Sequence, residues 1–147
     1  MATLFDPADR ARLVERIRSL GPDATRRWGS MSLPKALGHM GDQLLLALGD
    51  LEIAPIGGFL SLPPLRFLVV HVLPVPRGVK TAPELLRTDI ETLDEARDRL
   101  LLLIERFASH GRDGTWAPHP LFGSLSGKDW GVLAAKHLDH HLRQFSA

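Results

Sequence analysis

Proline divides this chain. More than half of its eleven prolines fall between residues 50 and 83, with Gly57, Gly58 and Gly78 among them, so no single long helix can run through that stretch. On either side lie apolar stripes at helical spacing, interrupted by proline only in a first turn or not at all. Two helices therefore precede the proline-rich stretch and two follow it, and the stretch itself must be a long crossover. Within it, Leu65 to Leu73 is apolar enough to form a short buried helix or a lid. His71 in that run either packs or lines the mouth of a pocket.

The four stripes carry their own start and stop signals. Asp6 and Pro7 open a first helix buried through Leu13, Val14, Ile17 and Leu20, whose arginines Arg10, Arg12, Arg16 and Arg18 read as a solvated face. Ser32 and Pro34 open a second, with Leu33, Leu37, Met40, Leu44 and Leu48 on its buried side and Gly49 beyond its end. His39 stands at the border of that stripe, and Leu46 on the same flank suggests a helix covered on both sides. Thr92 and Glu95 open the third, which Gly111 stops. Ser126 and Asp129 open the last, which meets no proline before the chain ends. The expected helices span 7 to 20, 32 to 48, 92 to 109 and 127 to 145. No run alternates apolar and polar residues as a half-buried strand would. The fold class is therefore all-α: a four-helix bundle with a long crossover between helices 2 and 3, in one domain spanning 1–147.

Composition narrows the chemistry. Charged residues make up 24% and nearly cancel, leaving +1, so no electrostatic footprint for nucleic acid or an anionic membrane is visible. A small-molecule partner is expected, with a homodimer as the oligomeric option. The N-terminus has no apolar signal region and no run reaches the roughly 20 residues of a membrane span, which makes cytoplasmic the expected location. The chain has no cysteine, so any metal is held by imidazole and oxygen, and any thiol chemistry must use a thiol from solution.

The last helix carries the chemistry-bearing cluster. At roughly 100° per residue Trp130, Ala134, Leu138, His141 and Phe145 share one face, while Lys136, Asp139 and Arg143 share the other. His137 and His141, four residues apart, can converge on one ion as neutral nitrogen ligands, or can simply pack and hydrogen-bond in a helical core. His140 lies nearer the polar rim. Upstream, the apolar loop WAPHPLFGSL should pack under the helix ends, with His119 restrained between two prolines. His119 and His140 are the candidate catalytic proton shuttles, and Asp42 and Gln144, each one turn from a histidine, are candidates for orienting ligands or substrate.

The combination of W-G-x-M-S at Trp28, a helix with a central histidine, a long crossover, H-P-x-F-G-x-L-S at His119 and H-L-D-H-H-L-R-Q-F at His137 resembles the DinB/YfiT-like superfamily, and within it a branch of uncharacterised bacterial proteins. The resemblance implies a DinB-like four-helix bundle with a divalent metal, zinc or nickel, bound by one histidine of the second helix and the H-x-x-x-H pair of the last. Those positions here are His39, His137 and His141. Characterised relatives include transferases that use low-molecular-weight thiols such as bacillithiol or mycothiol. The resemblance thus implies a metal-dependent transfer of such a thiol to a small electrophile, while a metal-dependent hydrolase and a non-catalytic ligand-binding bundle stay open.

Overall fold

The computed structural model describes residues 1–78, 83–86, 90 and 92–147. Among these residues it is all-helical, with five α-helices and no strand. Helix α1 runs Pro7–Ser19, α2 Leu33–Leu48, α3 Pro63–Phe67, α4 Leu93–His110 and α5 Gly127–Gln144.

The four long helices begin where side chains can satisfy their first free N–H groups. Asp6 accepts from Asp9 N at 2.9 Å, Ser32 from Lys35 N at 3.3 Å and Thr92 from Glu95 N at 3.3 Å. Ser126 and Asp129 do so reciprocally, each side chain accepting from the other's backbone N–H at 3.1 Å. At the far end of α2, Gly49 takes the left-handed conformation that glycine adopts without steric cost, and its N–H returns to the last carbonyls of the helix.

Packing forms a ring in which α1 meets α4, α4 meets α2, α2 meets α5 and α5 returns to α1. The broadest of these contacts joins α2 to α4. Helix α2 is buried on nearly all sides, from Ala36 through Leu44 and again at Leu46 and Ala47, as the two covered flanks read from its sequence require. Ile17, Leu37, Met40, Leu44, Leu100, Ile104, Phe107, Trp130, Leu138 and Leu142 fill the centre and are essentially sealed from water. The N-terminal segment crosses α5 closely, with Leu4 N donating to Gly131 O at 3.1 Å. A Cβ at Gly131 would collide with Thr3 and Phe5, so the missing side chain is what lets the segment lie there.

Two expectations need correction. The arginine side of α1 is not simply solvated: Arg16 bonds Asp139 Oδ1 at 2.7 Å and the Ala147 carbonyl at 2.9 Å, tying α1 to the end of α5, and Arg10 donates to Leu4 O at 2.8 Å. The crossover run Leu65 to Leu73 is helical, as α3 followed by a π turn at Leu68–Val72, but only Val70 is buried. Phe67, Leu68 and Val72 face outward instead. The π turn has one side against α5, and Val70 is the residue that occupies it.

The segment is fastened to α5 by polar contacts. His71 Nε2 lies 2.7 Å from Asp129 Oδ1, so the residue that caps α5 also holds the π turn. Lys136 Nζ donates to Val69 O at 2.8 Å, to Val70 O at 3.1 Å and to Leu73 O. Burial favours the neutral form of Asp129, but hydrogen bonds from His71 and Ser126 outweigh it and hold the carboxyl below its usual range. The loop before α5 is packed under the helix ends as expected: Phe122 and Leu125 are buried, Ala117 N reaches Ala47 O at 3.0 Å, and Trp130 Nε1 donates to Ala117 O at 2.8 Å.

Candidate metal centre

Helix α2 delivers His39 and α5 delivers His137 and His141 to one point. Their ring centroids are 4.6 to 4.8 Å apart, and one ligand nitrogen from each lies within 4.8 Å of the others. The three residues could hold a metal ion. His39 and His141 are buried and His137 half-buried, the last with its Nδ1 sealed from solvent.

Hydrogen bonding fixes which nitrogen each ring offers. His39 Nδ1 is 3.2 Å from the Leu85 carbonyl, which can only accept, so Nδ1 carries the proton and Nε2 keeps its lone pair. Gln144 Nε2 donates to the Trp28 carbonyl at 2.8 Å, which turns its Oε1 to His141 Nδ1 at 3.0 Å. His141 is therefore protonated at Nδ1 and also offers Nε2. His137 Nε2 lies 2.9 Å from His39 Nε2. Nitrogens bound to one zinc ion at about 2.0–2.1 Å sit about 3–3.5 Å apart, so this pair is near ligand spacing. His137 Nδ1 finds no hydrogen-bond partner among the described residues.

The electrostatics favour the ligating, neutral form. Burial, followed by the neighbouring His141 and His39, holds His137 well below the ordinary histidine range. Burial, with His39 adding to it, pushes His141 down to about 4. His39 is lowered by burial too, against the opposing pull of its bond to Leu85 and the charge of Asp42. Three neutral imidazoles with two lone pairs already aimed inward fit a metal ion, and a set of three nitrogen donors leaves room for a further ligand.

The cluster forms one side of a cavity of about 980 Å³ whose other walls include Trp28, Met31, Ile53, Ile56, Leu86 and Leu121. His119 and His140 both line it. His119 Nδ1 accepts from Leu121 N at 3.0 Å and the ring packs on Phe122 and Trp130. Burial pushes its pKa down to about 4, so at neutral pH it is an uncharged ring with its proton on Nε2, a donor rather than a base. His140 is half-buried beside Trp28, with centroids 5.8 Å apart, and is lowered by burial and then by the charge of Arg77.

Of the two residues expected to orient ligands, Gln144 bonds His141 directly. The Asp42 carboxylate is engaged by Arg99 of α4 at 2.7 Å and reaches His39 as a charge. Gly29, at φ 82°, gives the Gln144 amide room; a Cβ there would overlap it. His71 serves the crossover tether described above. No residue type in the sequence points to the Leu85 and Trp28 carbonyls, which set the His39 and His141 tautomers. Backbone groups leave no residue-type signal in a sequence.

Residues 75–147 match the sequence profile of a family described as "Protein of unknown function (DUF1569)", which is a DinB/YfiT-like family. The matched part contains α4, α5, His119, His137, His140 and His141, and leaves His39 outside it. No curated protein and no solved structure matches the chain.

Proposed function

We propose that this chain is a metal-dependent enzyme of the DinB-like type, a single four-helix-bundle domain with a long crossover, that transfers a low-molecular-weight thiol to a small electrophile. The observation that carries the reading is the convergence of His39, His137 and His141 on one edge of a cavity large enough for a substrate. When bound there, a divalent ion supplies Lewis acidity, which makes a thiol acidic at neutral pH.

The chain's own residues do the rest. Leu85 O and Gln144 hold two of the imidazoles so that their lone pairs converge. Apolar walls line the approach to the reacting groups, and His119 offers an N–H to the electrophile. His140, on the cavity wall and half-buried, is the group placed to carry the thiol proton outward. The absence of cysteine makes the thiol a co-substrate rather than a side chain. The same reading takes a homodimer as the assembly, supported by the outward apolar row Phe67, Leu68 and Val72, and sedimentation of the purified chain tests it.

Metal analysis of untagged protein, followed by incubation with bacillithiol, mycothiol or glutathione and a panel of electrophiles, tests the activity. Thiol-dependent conjugation that disappears on chelation and in His137→Ala is the expected result. Turnover without thiol would make the chain a hydrolase, and ligand affinity that survives metal removal without any turnover would make it a binding module.

A further inference from the structure

The charges of this chain nearly cancel over the whole molecule, yet they do not cancel around the cavity. Among the described residues that line it there is no aspartate or glutamate, and apart from the histidines the charged one is Lys35. The lip formed by Trp28 to Ser32 carries two further cations. Arg77 lays its guanidinium over the Trp28 ring, 3.9 Å from the ring centroid, and Arg26 Nη1 donates to Ser30 O at 3.3 Å and Met31 O at 3.0 Å. Seven other arginines of the molecule pair with a carboxylate, Arg16 with Asp139 and Arg99 with Asp42 among them, whereas Arg77 has no carboxylate partner among the described residues. A guanidinium stacked on an aromatic face keeps its N–H edge free, and that edge matches the two oxygens of a carboxylate or phosphate. Beyond the lip the walls are apolar, with Ile53, Ile56, Val75, Leu86 and Leu121 leading to the histidine cluster.

We infer that the cavity takes a ligand with an apolar body and an anionic oxygen head group, the head group held at the lip by Arg77 and Lys35. The inference rests on reading the cavity as the substrate site and adds the chemical class of what enters it. Arg77 and Lys35 are specificity-determining residues in this scheme, acting on the end of the ligand away from the imidazoles. Arg26 holds the lip itself through its two carbonyl contacts.

Titration calorimetry of the full chain loaded with zinc, using octanoate and its neutral counterpart octanamide, tests this. Octanoate should bind about tenfold or more tightly than octanamide, and the margin should shrink as salt is raised from 50 to 300 mM because the cations are solvent-exposed. In the Arg77→Met, Lys35→Met double variant the margin should fall below about threefold, with the octanamide affinity unchanged. Both positions are exposed, and an unaltered melting temperature checks that the variant folds. Equal affinities in the wild type would overturn the inference, as would failure of both probes to bind below millimolar concentration. A preference for octanoate that survives the double variant but vanishes in His141→Ala would also overturn it, by showing that the ion takes the anion. An Arg77-dependent preference that persists in metal-free His39→Ala protein would uphold it even if the metal-dependent reading of the site failed.

Discussion

Gln144 and the Leu85 carbonyl perform the same task for different histidines: each accepts a hydrogen bond from Nδ1–H and so leaves Nε2 bare. Only the first can be altered by substitution. Gln144→Leu is expected to weaken metal affinity about 10–100-fold, measured by competition with a chromophoric chelator, while Gln144→Glu, which still accepts, should retain most of it. The sequence made Gln144 legible because it lies three residues beyond His141 on the same helix. Asp42 bears the same spacing to His39, yet Arg99 lies on α4 across from it, and a partner on another helix cannot be read from spacing. His119 provides a separate test. Its folded pKa of about 4 lies below the 6.5 it has when unfolded, so below pH 6.5 the unfolded chain takes up a proton that the fold refuses. The stability it contributes is complete above about pH 6.5 and is lost as pH falls toward 4, at up to about 1.4 kcal/mol per pH unit. Urea midpoints measured over that range should decline, and His119→Gln should flatten the decline by about one proton's worth.

At the scale of elements, the four long helices fall within a residue or two of the boundaries that their caps and stripes indicate, because capping is local chemistry written in adjacent residues. The crossover was less legible. Its apolar run indicates a helix but not which side is covered, since covering depends on what α5 presents. What α5 presents is Lys136, placed by periodicity on the polar face and found with its ammonium on the Val69 and Val70 carbonyls of the π turn. The ammonium therefore caps the end of the turn and tethers it to α5. Lys136→Met should therefore cost about 1 kcal/mol in global stability and accelerate amide hydrogen exchange across residues 63–73, with exchange in α2 and α4 little changed. Uniform acceleration along the chain would place the lysine's role elsewhere.

At the scale of the whole molecule, the centre joins α2 to α5, two members of the ring that are far apart in sequence. Ligand binding to the folded state alone raises its stability by mass action, so chelation of the metal-loaded protein should lower the melting temperature by several degrees, and His137→Ala should show no such response. Calorimetry with and without chelator measures both. The separation of the ligands has a consequence of its own. His39 and His137 are 98 residues apart along the chain, and an ion shared between them would act as a cross-link closing a loop of two-thirds of the protein. In the chain-entropy treatment used for disulfides, closing a loop of about 100 residues removes on the order of 4.7 kcal/mol of disorder from the denatured ensemble. A clasp of that span cannot form until α2 and α5 have met, so it would secure a fold already completed and play no part in starting one.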